Sequence, residues 1–384
     1  MKERPILFVS LGLNLVLGVL LVFSFTREPA PADVAEQPVT EIADASVADT
    51  ETPPPSPTAT APPPTATMLP AVVITPTETP TATDAPPTPT DTPTSEPTPT
   101  VPPSPTPVPQ PLWLAYVNTF RWMVDLPQVG ENIEWSEGAR LHSVYMVNTN
   151  RATHYPDPAS EWYTDAGNLA ADFGNLAATV WPEASYIWAI NYWMSAPFHG
   201  LPILDPQLQD VGFGSYLSPS PGNPTDISLI NFGATLDIER GLDQSAGQDT
   251  EFPIFFPPDG GETWVRRHGL FEYPDPLASC AGYTRPAGAP IMIQTGLGGG
   301  TPNVTSFLLT EDGNQIPACM FHEGTYTNPD PVAQASGRGI LNVRDAIVIL
   351  PQKPLKVGSV YAVSVSIDSV PYGASFTVVA PPYE

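Results

Sequence analysis

Residues 189–216 read AINYWMSAPFHGLPILDPQLQDVGFGSY. With the residues just before it, this stretch predicts a helix over PEASYIWAINYWMSA, with Pro182 in its first turn and Ile187, Ile190 or Asn191, and Met194 on one side. Pro197 cannot continue the hydrogen-bond ladder and restricts its predecessor, so the helix should stop there. His199 is then expected just past a helix end, open to solvent or ligand. The run DVGFGSYL, 210–217, reads as a strand whose glycines let it approach other backbone closely.

Working upstream, Trp113, Val117 and Phe120 recur at helical spacing, and a second helix is expected over SEGARLHSVYMVNTN, capped by Ser136. Ala139, His142 or Val144, and Met146 keep its period. Downstream, ISLINFGA and ATLDIERG follow the turn SPSPGNPTD as two further strand-like runs. Three helices with a small antiparallel sheet make an α+β sandwich, placed over 112–245.

From about Phe252 the helical period disappears. PIMIQTG, VTSFLLTEDGN, DAIVILPQ, VYAVSVSID and ASFTVVA are short β runs separated by turn signals, which predicts an all-β, immunoglobulin-like sandwich over 250–384. TGLGGGTP, 295–302, lacks the strand-to-helix setting of a dinucleotide loop and reads as a turn. The phrase YPDP occurs at Tyr155 and again at Tyr273 with unrelated flanks, and reads as a turn used twice.

The remainder is not globular in composition. The chain of 384 residues carries 52 prolines, far above ordinary usage. Pro5 to Phe25 is 21 residues without a charge, enough as a helix to span roughly 30 Å of hydrocarbon. Lys2 and Arg4 precede it, so a retained single-pass signal-anchor over 1–27 is expected, N-terminus in the cytoplasm and the rest outside. A cleaved signal peptide is the alternative; the long apolar run and the poor cleavage site Ala30-Pro-Ala32 weigh against it. Residues 28–111 read as a disordered Pro/Thr-rich stalk, with eleven acidic residues and no Lys or Arg. At about 3.1 Å per residue it would reach as much as ~250 Å. The net charge of −26 argues against nucleic acid and anionic lipid surfaces as partners. Cys280 and Cys319, the only cysteines, fit a single extracytoplasmic disulfide and not a metal site.

Trp193, Met194, Pro197, His199, Ile203, Leu204, Pro206, Val211, Gly212 and Gly214 together resemble the bacterial form of the CAP superfamily, shared by cysteine-rich secretory proteins, antigen 5 and pathogenesis-related proteins. Asn118 and Arg121 fit the N-x-x-R of that family's first helix, GARLHSVYMV its second, and His154 the histidine that follows. The resemblance covers about 112–241 and implies an α-β-α sandwich with a central cleft of two histidines and two glutamates. By motif match the histidines are His154 and His199. Such a pair could hold Zn²⁺ or another divalent metal, or hydrogen-bond a ligand.

The carboxylates depart from the pattern. GENI at 130–133 has the family's glutamate phrase, but Glu131 precedes His154 by 23 residues and reads as a solvated loop acid. The expected position falls at Asp172-Phe-Gly-Asn175, where Asn175 matches the asparagine and no glutamate stands. Asp165, Asp172, Glu161 and Glu183 are the substitutes at hand. Ser195 is a weak nucleophile candidate near His199. Tyr155 and other aromatics, including Trp162, Trp181, Trp188 and Tyr192, suit stacking on a ligand. His142 is expected to pack inside its helix, and His268 and His322 to lie on the surface.

With no assured carboxylate, the reading is a membrane-anchored surface protein that binds a lipid, small amphiphile or cell-wall glycan at His154, Tyr155, Asn175, Ser195 and His199, without catalysis. A divalent-metal hydrolase or peptidase is the first alternative, with zinc on His154 and His199. A structural adhesin that contacts a surface protein is the second.

Overall fold

The computed structural model describes residues 110–222, 229–269 and 271–382. The anchor expected over 1–27 and all but the last two residues of the expected stalk lie outside the described residues. Among those described, no helix is long and apolar enough to cross a membrane.

The chain enters α1 (Leu112–Met123), short strand β1 (Gly130–Glu131), α2 (Ile133–Thr149), α3 (Asp165–Asp172), β2 (Gly174–Thr179), α4 (Tyr186–Met194), α5 (Pro197–Ile203), β3 (Asp210–Leu217) and β4 (Phe232–Asp237). These strands form one sheet in the order β1-β3-β4-β2. All its pairs are antiparallel except β1 with β3, so the sheet is mixed where an antiparallel one was expected. The two runs ISLINFGA and ATLDIERG yield one described strand, β4, and a 3₁₀ turn over Glu239–Gly241.

The alternation of β3 sets the layers. A Cβ on Gly212 would meet Trp135 of α2 at 2.4 Å, and one on Gly214 would meet the Arg140 backbone nitrogen at 2.1 Å, so the two glycines let α2 lie directly on the strand. Between them Phe213 points to the other face, 5.3 Å from the Trp113 ring of α1 and 6.3 Å from that of Trp193 in α4. The central strand β4 is buried along its whole length, as a strand covered on both faces must be.

Three expected helix boundaries move. Asn132, not Ser136, caps α2: its side chain accepts from the Trp135 backbone at 3.2 Å. Ser136 lies inside the first turn, donating to Glu131 at 2.6 Å and accepting from the Phe213 backbone. Glu131 is thus a half-buried acid pinning α2 to the β1–β3 pair, not a solvated loop acid. Helix α4 begins at Tyr186, after Pro182. Pro197 ends α4 and also starts α5 at its first position, where a missing N–H costs nothing. His199 therefore sits buried in the first turn of a new helix, not exposed beyond an old one.

The family-like Asn118 and Arg121 are structural. Asn118 exchanges two hydrogen bonds with the Val129 backbone, and the buried Arg121 guanidinium donates to the carbonyls of Pro127, Ile203, Asp205 and Leu208. Burial lowers its pKa to about 10, with the Asp205 charge opposing the shift.

Beyond residue 250 come β5 (Ile254–Phe256), β6 (Gly261–Thr263), β7 (Arg267–His268), β8 (Ala287–Gly288), β9 (Ile291–Gln294), β10 (Val304–Glu311), β11 (Asn314–Gln315), β12 (Ala318–His322), α6 (Pro331–Asn342), β13 (Ala346–Pro351), β14 (Val360–Ile367) and β15 (Val370–Val378). They build a sheet β11-β10-β14-β15-β6, a sheet β12-β13-β9-β5 and the pair β7-β8. Cys280 and Cys319 form a disulfide. Helix α6 was not expected: its glycines and small residues hide the period, although Asp330 caps it and Ala333, Gly337 and Leu341 are buried at every fourth position.

The described residues belong to one compact unit. Phe120 of α1 lies 5.9 Å from Phe256 of β5, and Phe198 of α5 lies 5.1 Å from Tyr326. Gln294 donates to the Leu204 carbonyl at 2.7 Å, and Arg344 pairs with Asp205 at 2.8 Å with both side chains buried. The β-rich region thus packs directly behind α5, and that contact determines the site.

Candidate functional site

Helix α5 is short, and its first backbone N–H groups have no partner within the helix. They point at Glu272, which comes from the β-rich region between β7 and β8. Its Oε1 accepts from the Phe198 nitrogen at 2.8 Å, the His199 nitrogen at 3.2 Å and His199 Nδ1 at 2.9 Å. A carboxylate only accepts, so the Nδ1 proton lies on His199. The Glu272 side chain is fully buried and its Oε2 has no hydrogen-bond partner. This carboxylate lies outside residues 131–183, where the family pattern places one, and stands 73 positions beyond the histidine, so no local motif marks it.

His154 follows α2 and is half-buried. Its Nδ1 donates to the Ala171 carbonyl at the end of α3, at 2.6 Å. Both cleft histidines therefore carry their proton on Nδ1, which leaves Nε2 as the uncommitted nitrogen of each ring. The two rings stand within electrostatic reach: burial lowers the pKa of His154, the Ala171 bond opposes this, His199 lowers it further and the Asp172 charge raises it. Asp172, of the four substitute acids, is the one acting on His154, and it is exposed.

Asn175 on β2 is buried and donates to the His199 carbonyl at 2.9 Å, so it holds the backbone of α5 from the side opposite Glu272's bonds to its amides. Ser195 is held at the end of α4. Its hydroxyl donates to the Tyr192 carbonyl at 2.7 Å as the end of α4, and its own carbonyl accepts from His268 Nδ1 at 3.0 Å. The Ser195 hydroxyl is thus bonded to its own helix, and His268, expected on the surface, is buried, as is His322. Tyr192 lies 6.1 Å from the His199 ring and donates to the Phe271 carbonyl, tying the loop that carries Glu272 to α4. Burial and then the Glu272 charge raise the Tyr192 pKa. His142 packs beneath, its ring stacked 5.8 Å from Tyr145. Tyr155 is 83% exposed.

The donors present do not make a zinc site. Structural zinc takes four ligands and catalytic zinc three, whereas the cleft offers two imidazole nitrogens, and among the described residues no three His, Cys, Asp or Glu side chains are grouped to hold a metal ion.

Residues 114–231 match the family model described as CAP, the cysteine-rich secretory protein family. Among solved structures, the chain is similar to an extracellular protein containing a SCP domain from Bacillus anthracis str. Ames, at 19% identity and a TM-score of 0.25, covering 33% of this chain and 39% of that one. No curated protein matches. The segment that carries His154, Asn175 and His199 lies within the residues that match the CAP model.

Proposed function

We propose that this chain is a surface protein held in its membrane by residues 1–27, with its N-terminus in the cytoplasm. The stalk over 28–111 carries outside it the CAP region, 112–245, and an immunoglobulin-like region, 250–384. The cleft at His154 and His199 binds a lipid, small amphiphile or cell-wall glycan and does not catalyse a reaction on it. The Cys280–Cys319 disulfide supports an oxidising, extracytoplasmic setting.

The observation that carries the binding reading is the fixing of both rings through Nδ1, by Glu272 and by the Ala171 carbonyl. Two hydrogen-bonding Nε2 atoms are left, and the nearby Ser195 hydroxyl is committed to its own helix. Such a cleft binds hydroxyls or headgroup atoms but lacks a nucleophile bonded to its base. The test is equilibrium binding of the full-length protein to phosphatidylcholine vesicles, a fluorescent sterol and neutral oligosaccharides. Retention of one of them, lost in His199→Ala, is expected; retention of none would sink the reading.

A hydrolase is the second reading, and the Glu272–His199 pair favours it, because a carboxylate on Nδ1 is the arrangement that orients an imidazole as a general base. Turnover of ester or peptide substrates that vanishes in both His199→Gln and Glu272→Gln would establish it. Turnover equal in wild type and variants would remove it.

A further inference from the structure

The two copies of YPDP stand at corresponding places in the site. Tyr155 directly follows His154, and Tyr273 directly follows Glu272, so the backbone of each tyrosine adjoins a residue of the site. Each turn is closed by its aspartate, Asp157 accepting from the Ala159 backbone at 2.9 Å and Asp275 from the Leu277 backbone at 2.9 Å, although the Tyr273–Pro274 peptide is cis and the Tyr155–Pro156 peptide is not. Each is also pinned from beneath by a tyrosine hydroxyl. Tyr145 accepts from the Asp157 nitrogen at 2.8 Å, and Tyr326 donates to the Asp275 carbonyl at 2.9 Å. The backbone under both rings is therefore held, while the rings stay in water: Tyr155 is 83% exposed, Tyr273 49% and Phe271 70%. Burial, then the Asp330 charge, then the Tyr155 hydroxyl raise the Tyr273 pKa, which supports the proximity of the two tyrosines.

We propose that Tyr155 and Tyr273, with Phe271, are the aromatic rim of a saccharide-binding site, and that its ligand is a neutral polysaccharide laid across the His154–His199 cleft. The inference rests on the binding reading above and specifies its ligand. Aromatic rings on a held backbone, with flat apolar faces and, for the tyrosines, a polar tip, match the C–H faces and hydroxyl edges of a pyranose. The two histidine Nε2 atoms accept hydroxyl donors from the same sugar. The net charge of −26 over the whole chain disfavours a polyanionic ligand.

Calorimetric titration of the full-length protein with chitohexaose, cellohexaose and phosphatidylcholine vesicles tests this. One of the hexaoses should bind. Tyr155→Ala with Tyr273→Ala should weaken it by about tenfold or more, while Tyr155→Phe with Tyr273→Phe keeps it within about threefold, as stacking requires. All four are surface substitutions, and an unchanged Tm would confirm that each variant folds. No binding of either hexaose, or binding indifferent to the double alanine variant, overturns the inference. Vesicle binding that depends on His199, without hexaose binding, overturns it and leaves the cleft reading intact. Hexaose binding that needs the tyrosines but survives His154→Ala with His199→Ala supports the rim and overturns the cleft.

Discussion

His142, His154 and His199 follow one another through the CAP region, and each is treated differently by its surroundings. His142 is buried against Tyr145, and burial, with His154 adding to it, lowers its pKa from 6.5 to about 4. The unfolded chain therefore binds a proton near pH 6.5 that the folded chain refuses until about pH 4. Stability from this group is full above the unfolded value and is lost as pH falls through that window, by up to about 3 kcal/mol. His142→Phe keeps the stacking and removes the titration. Urea melts at pH 7 and pH 4.5 should show a smaller acid loss in the variant than in wild type; equal losses would contradict this placement. The packing role of His142 was legible from its position in a helical period. The burial of His268 was not, because its partner is distant in sequence: it donates to the Ser195 carbonyl, 73 residues away. His322 is buried on β12 beside β13, and its Nδ1 accepts from the Gly324 backbone two residues on.

At the level of elements, the strand–helix contact of α2 on β3 is the part most clearly written in the sequence. GFG at 212–214 is there because any side chain would strike α2, and the clash is with backbone, which cannot move aside. Gly214→Ala should cost about 3 kcal/mol or more, or abolish folding, whereas Ala at the exposed Gly339, where a Cβ meets nothing within 4 Å, should be neutral or slightly stabilising. Thermal melts of the two variants check this, and equal melting temperatures would refute it. The same stretch misled at Pro197. Proline reads equally as a helix stop and as a first helical residue, and only the second placement brings the His199 amide toward an acceptor. Helix α6 stayed hidden for a related reason. Its buried positions are alanine, glycine and leucine, so its apolar stripe is faint, yet Asp330-Pro331 at its start was a readable signal.

At the scale of the whole molecule, the CAP region's histidine site is completed by a carboxylate from the region that follows it. The sequence reading preferred binding to catalysis because a carboxylate was missing; one is present, supplied across a shared core that no local pattern encodes. Arg344 with Asp205, Gln294 with the Leu204 backbone, and Glu272 with His199 all cross that boundary close to α5. Differential scanning calorimetry should accordingly give one cooperative transition for both regions. Arg344→Ala, which leaves Asp205 buried without its partner, should lower the stability of the whole by about 3 kcal/mol. Two separate transitions, with only the later region affected, would contradict the shared core.

The measurement that bears most directly on this account is the tautomer of His199, read by long-range proton–nitrogen correlation NMR on the full-length protein, with the resonance assigned by its loss in His199→Gln. The Glu272 bond predicts a proton fixed on Nδ1 at neutral pH, released to a mixture of tautomers in Glu272→Leu. A wild-type His199 protonated on Nε2 alone, or a spectrum unchanged by Glu272→Leu, would contradict it.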